Sequence, residues 1–290
     1  RWRIPTSPDV GRPSPDVGRS SPDVGRSSPD VGRSSPDVGQ DYHVSSEQIV
    51  FYLVTGAVFF IIGLSKGGLG GTLGALATPV LALILPTDKV VGLLLPFLIV
   101  ADVFALAFHW LGWDRRLILI LLPGAIVGIT IGTYFITQSP TEILRTVLGV
   151  IVLLFALYKL FEKSIFSRLV YRPRRWHGAL AGTVAGFASA LAHTGSPPVS
   201  IYLLLQEVTP KVFIATSVLF FFILNLIKIP YYLYARLFDA DLLSRAVWLV
   251  PLLPAGVWVG KSAASKVSKE RFDDLILVVL VATALLLILT

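Results

Sequence analysis

The sequence has no cysteine, which excludes disulfide staples and thiolate metal sites. It has no methionine either and begins at Arg1, so the start of the reading frame is expected to be missing or misassigned. Charge is scarce: only 15% of the 290 residues are Asp, Glu, Lys or Arg, against about 25% in soluble domains. No His/carboxylate cluster has metal-ligand spacing, and no phosphate-cradling loop runs into Lys-Ser/Thr, so neither a metal nor a cofactor is expected. Strand-like alternation is absent as well, which argues against an outer-membrane barrel.

What the sequence does have is apolar length. Mean hydropathy is +0.75, and after residue 46 apolar runs of roughly 17–24 residues follow one another, each long enough to cross a ~30 Å hydrocarbon core as a helix. Backbone amides in lipid must be satisfied internally, which favours helices. The net charge of +7 would suggest nucleic acid in a soluble protein. Here the basic residues sit in short loops between apolar runs, so they report topology, and no nucleic-acid partner is expected.

Residues 1–40 repeat a seven-residue unit, Ser-Pro-Asp-Val-Gly-Arg plus one, starting at Ser7, Ser14, Ser21, Ser28 and Ser35. Each unit carries a Pro, a Gly and a single apolar residue, so it can form neither a helix nor a core. A disordered tail over 1–46 is the expectation, and it has no apolar stretch to serve as a signal peptide.

Ten apolar segments follow, at 47–64, 70–86, 90–110, 117–137, 143–160, 177–192, 197–206, 212–234, 245–261 and 272–290. The second is expected to break at Pro79, and the seventh is too short to span. Pro123, Gly128, Gly132 and Glu142 align without a gap on Pro251, Gly256, Gly260 and Glu270. Likewise Thr87-Asp-Lys89-Val matches Thr209-Pro-Lys211-Val. The expected fold is therefore an all-α polytopic membrane protein of two repeats, 47–162 and 177–290, joined by a basic cytoplasmic linker at 163–176. Each repeat has five segments, including an interrupted or re-entrant helix pair. An odd number per repeat inverts the second half relative to the first.

Charge counting fixes the orientation. Lys159, Lys163, Arg168, Arg172, Arg174, Arg175, Arg115, Arg116, Lys211, Lys261, Lys266, Lys269 and Arg271 fall inside, whereas only Lys89, Arg145, Arg236 and Arg245 fall outside. Both chain ends then face the periplasm of a bacterial plasma (inner) membrane.

Four places carry chemistry. Lys66 sits in Gly63-Leu-Ser-Lys-Gly-Gly-Leu-Gly-Gly71. A lysine at a membrane break needs water, a partner or a substrate. Gly67, Gly68, Gly70 and Gly71 would let backbone amides approach an anion, aided by the helix N-terminus that follows; a snorkelling lysine with glycines for packing is the alternative. The matching break holds His193, Thr194, Gly195 and Ser196 before Pro197, with Ser196 expected to cap the next helix and His193 able to bind an anion when protonated. Asn225 and Lys228 share one helix face, with Thr216 on a similar face and Pro230 just beyond, and both are expected at the substrate site, Lys228 as a substrate or counter-ion residue. Asp102 is an intramembrane carboxylate, expected to neutralise Lys66 or Lys228 or to carry a coupling proton.

These residues resemble the sulfite exporter TauE/SafE family over about 47–290. The resemblance rests on Gly63-x-Ser-Lys-Gly-Gly-x-Gly-Gly with Pro79, on Gly92-Leu-Leu-Leu-Pro96 before Ala101-Asp102, on Gly186-Phe187 and Ala192-His-Thr-Gly-Ser-Pro197, and on Thr216, Phe220-Phe and Asn225-Leu-Ile-Lys-Ile-Pro230. It implies secondary transport, by export or import with export the preferred reading, of small anions such as sulfite, sulfonates and related sulfur oxyanions. A homodimer remains open, and no enzymatic activity is expected. The competing classes are an intramembrane enzyme acting on a lipid phosphate with His193 as nucleophile or base, and an anion channel. The enzyme would want several convergent Arg and carboxylates, which the mid-span segments lack.

Overall fold

The structure is a computed structural model that describes residues 46–69, 71–109, 112–168, 173–263 and 269–289. The repeat tail up to residue 45, Gly70 and the linker residues 169–172 lie outside the described residues. All described elements are helical: α1 (Ser46–Leu64), which continues into a π turn (Ser65–Leu69), then α2 (Gly71–Gly74), α3 (Ala77–Leu81), α4 (Thr87–His109), α5 (Arg115–Gln138) and α6 (Thr141–Arg168). After the linker come α7 (Arg175–Ala192), α8 (Ser196–Leu204), α9 (Pro210–Tyr234), α10 (Ala240–Ala246), a 3₁₀ turn (Val247–Leu249), α11 (Leu252–Ala263) and α12 (Lys269–Leu289).

Local chemistry sets the boundaries. Asp114 caps α5 by accepting from the N–H groups of Arg116 and Leu117, and Thr209 caps α9 by accepting from Val212, with Pro210 in the first turn where it costs no hydrogen bond. The expected break at Pro79 is displaced. Pro79 lies within α3, where a first-turn residue needs no intrahelical N–H partner, and the chain breaks at 75–76 and again after Leu81. The ninth segment starts earlier than expected, at Ala240, and bends by 46° between Leu249 and Leu252, where Pro251 interrupts the ladder.

Among the described residues five helices are long and apolar enough to cross a membrane, over Ser46–Gly67, Thr87–Ala107, Arg115–Gln138, Thr141–Glu162 and Pro210–Tyr234; counting the bent pair at 240–262 as one span makes six. Large apolar side chains such as Leu53, Leu119, Ile131, Leu154 and Val278 are exposed on outward faces. In water such surface would be a liability, whereas in lipid it is the solvent-matched exterior. The protein is a membrane protein.

Helices of 46–168 pair mainly with helices of 175–289: α5 with α7, α1 with α11, α6 with α12, and α4 with α9. Two of these pairs meet backbone to backbone. A Cβ at Gly124 or Gly128 would lie 1.8 or 2.0 Å from the carbonyl oxygen of Ala179 or Thr183, and one at Gly182 or Gly186 would lie 2.1 or 2.2 Å from that of Leu121 or Ala125. In the same way Gly63 faces the Leu253 carbonyl, Gly67 that of Val257, Gly256 that of Phe60 and Gly260 that of Leu64. Without water to drive association, such small-residue ridges let helices pack closely enough to hold in lipid.

Candidate functional site

The two breaks bring their polar residues to the interior. α7 ends because His193 adopts a left-handed conformation, φ 53°, while its N–H still bonds the Ser189 carbonyl. That turn aims the imidazole across the molecule instead of along the helix. Gly195 follows with no room for a side chain, since a Cβ there would sit 2.4 Å from the Ala185 carbonyl oxygen. Gly195, not Ser196, is the N-cap of α8; Ser196 lies in the first turn and makes no capping bond.

At the first break the π turn carries Lys66. Gly67 takes up the close approach to α11, Gly68 lies in the π turn and Gly71 opens α2. The expected helix N-terminus amounts to little, because α2 is four residues long and a macrodipole needs more turns. Positive charge at this break comes from the Lys66 ammonium itself.

The π turn and helices α4, α7 and α9 contribute two hydrogen-bonded groups that adjoin along α9. Lys66 donates to and ion-pairs with one oxygen of Asp102, which is fully buried on α4. The other Asp102 oxygen accepts from the Asn225 amide of α9 at 2.7 Å. One turn further along α9, fully buried Lys228 donates to the Ser189 carbonyl at 3.2 Å, the Ser189 hydroxyl at 3.1 Å and His193 Nδ1 at 2.8 Å. His193 Nε2 lies 3.1 Å from the Val91 carbonyl of α4. A carbonyl only accepts and an ammonium only donates, so with Lys228 charged the ring is neutral and carries its proton on Nε2. In this arrangement a protonated His193 would face Lys228 as a second cation. The Lys228 ammonium also lies 5.9 Å from the Tyr232 ring centroid, and the Tyr232 hydroxyl donates to the Ala190 carbonyl at 2.6 Å.

A cavity of about 560 Å³ ends on these groups. Lys66, His193, Thr194, Ser196 and Asn225 all line it. Asp102 and Lys228 stand behind the wall, reaching the cavity only through the residues they hold. Thr216, expected on the same face, instead accepts from the Asp114 N–H at 2.8 Å and anchors the start of α5. The mouth lies where α6, α8 and α9 have the ends expected to be cytoplasmic, with Tyr158, Lys159 and Glu162 on one side and Leu204 and Pro210 on the other. Leu98, Phe155, Phe213 and Phe221 make its flanks apolar.

The sequence reading missed four wall serines, Ser65, Ser189, Ser200 and Ser217. A signal existed for one of them: Ser217, Phe221 and Asn225 recur every four residues, the spacing of one helix face. Thr194 is buried and its hydroxyl, like that of Ser217, has no hydrogen-bond partner. A buried hydroxyl left so costs about 1–3 kcal/mol unless something in the cavity satisfies it. Among the described residues no group of three His, Asp or Glu could hold a metal. The wall offers an ammonium, an amide and several hydroxyls around an opening one small molecule can enter, which is a donor set for an anion.

The sequence model of the family described as Sulfite exporter TauE/SafE matches residues 55–287. That stretch holds every element named above except the ends of α1 and α12. No curated protein and no solved structure gives a match.

Proposed function

The chain belongs to the sulfite exporter TauE/SafE family of membrane transporters, and from that premise we propose that it moves a small sulfur oxyanion, such as sulfite or a sulfonate, outward across a bacterial inner membrane through the cavity at the two breaks. The observation that carries this reading is the cavity base. It joins Lys66, Asn225, Ser196, His193 and the unpartnered Thr194 and Ser217 hydroxyls at the end of the cavity. An anion leaving water for low dielectric loses solvation worth many kcal/mol, and only fixed donors and cations can replace it.

The architecture we infer is an inverted repeat. The pairing of α1 with α11 and of α7 with α5 is one relationship written twice if 46–168 and 175–289 exchange places, and α4–α9 and α6–α12 are self-matched under the same exchange. Broken helices meeting at the interface of such repeats are where transporters place their sites. With Lys159 and Arg174 on the cytoplasmic side, the cavity opens inward and is closed outward. That is the state in which an exporter loads.

The test is flux. Purified protein in liposomes should accumulate or release sulfite when a gradient is imposed, saturably and faster than empty liposomes. Lys66→Gln should weaken binding by about 1–3 kcal/mol, the scale of a lost charged hydrogen-bond partner. Sulfite movement no faster than in protein-free liposomes, for sulfite and for a panel of sulfonates alike, would remove this reading.

A further inference from the structure

Asp102 is not part of the cavity wall; it is fully buried behind it. Both of its oxygens are engaged, one by Lys66 and the other by Asn225 at 2.7 Å, and both of those donors do line the cavity. A ligand that reaches the base therefore shares its donors with a carboxylate that cannot leave.

The formal charges at the base can be counted. Lys66 and Asp102 cancel. Lys228 has three acceptors, at 3.2, 3.1 and 2.8 Å, one for each proton of an ammonium. His193, held between Lys228 and the Val91 carbonyl, is neutral on the same hydrogen-bond grounds. From α6 the mouth receives Lys159 and Glu162, which pair with each other at 2.6 Å and cancel. With Lys228 held as an ammonium by those three partners, one positive charge is left over, separated from the cavity by Ser189 and His193.

We propose that the site takes singly charged anions and discriminates against doubly charged ones, and that Asp102 sets this valence. One negative charge on the ligand balances Lys228. A second would lie beside Asp102 with no cation left to offset it, in a region too dry to screen the repulsion. This rests on the anion-transport reading of the same cavity and narrows its substrates to monoanions: hydrogensulfite, sulfonates or small carboxylates, in preference to sulfate or the sulfite dianion. Replacing Asp102 by an uncharged residue frees one more positive charge at Lys66 and should move the preference toward dianions.

Methanesulfonate and sulfate are suitable probes, being tetrahedral sulfur anions of similar size that differ by one charge. With the full chain purified at neutral pH, methanesulfonate should bind at least about tenfold more tightly than sulfate, a modest fraction of what one uncompensated charge costs in a partly dry site. In Asp102→Asn the ratio should shrink or reverse. Sulfate binding as tightly as methanesulfonate to the unmodified protein, or an unchanged ratio in Asp102→Asn, overturns the proposal. Should Asp102→Asn not fold, methylphosphonate decides on the unmodified protein. It passes from monoanion to dianion near neutral pH, and its affinity relative to that of methanesulfonate should fall across that change. Parallel affinities for the two would overturn the proposal. If neither these probes nor sulfite binds, the transport reading itself falls; tight sulfate binding sinks only the valence rule.

Discussion

Two side chains illustrate how much a single polar group does in this protein. Thr194 is buried, lines the cavity and has no hydrogen-bond partner. Thr194→Val keeps its shape and removes the orphan hydroxyl, so thermal stability should hold or rise by about 1 kcal/mol while anion affinity falls by a similar amount. A titration calorimeter and a melting curve on the same sample check both signs. Asp239 acts outside the cavity. It caps α10, accepting from Leu242 and Asp241, and pairs with Lys89 at 3.2 Å. The Leu242 N–H and then the Lys89 ammonium hold its carboxyl below the ordinary 3.8. A carboxyl lowered on folding stabilises the fold above its unfolded pKa, and that support is lost as pH falls through the lower folded value. Asp239→Asn keeps the cap, since Asn caps as well as Asp, and loses only a solvent-screened pair worth under about 1 kcal/mol. Its melting temperature at neutral pH should drop slightly, and its difference from the unmodified protein should vanish in strong acid. At this scale the charged groups were legible in the sequence, because Lys66, Asp102 and Lys228 stand out against apolar surroundings. Ser189 and Ser200 were not, because serines are common in membrane helices and only the fold shows which ones face a cavity.

Among the elements, most long helices were legible to within a few residues, because each is an apolar run bounded by charge, proline or a capping side chain; α6 is the exception, running past the expected end at 160 to Arg168, into the expected linker. The interruptions were not. Pro79 suggested a break where the structure has a short helix, and the bend at Pro251 passed unseen because apolar residues continue on both sides of it. A proline's effect depends on whether its missing N–H would have had a partner, and that requires knowing where the helix begins. Glycines carry the opposite lesson. Their spacing was visible, and the structure shows that Gly67, read as a possible anion contact, lies against the Val257 carbonyl. Gly124→Ala would place a Cβ 1.8 Å from the Ala179 carbonyl oxygen, whereas at Gly56 the nearest atom is a Leu252 methyl at 3.3 Å. Gly124→Ala should therefore cost about 1–3 kcal/mol or more by prying α5 from α7, while Gly56→Ala should be tolerated. Size-exclusion profiles and melting temperatures of the two variants would separate them, and equal behaviour would contradict the packing.

For the whole molecule, the absence of cysteine in the sequence makes topology directly measurable. Arg168→Cys should react only with reagent supplied from the cytoplasmic side and Ser139→Cys only from the periplasmic side; reversed labelling would overturn the orientation. Ser217→Cys, on the cavity wall, should under the proposed orientation react from the cytoplasm and be protected by bound anion. The glycine contacts then bear on how such a cavity could ever open the other way. α1 is joined to α11 and α5 to α7 by backbones in direct apposition, and each joint takes one helix from either side of the linker. The covalent halves and the mechanical halves are thus different objects. A rocking motion that preserves both joints cannot swing 46–168 against 175–289. Its hinge line must run through each half, leaving every moving body a composite of the two.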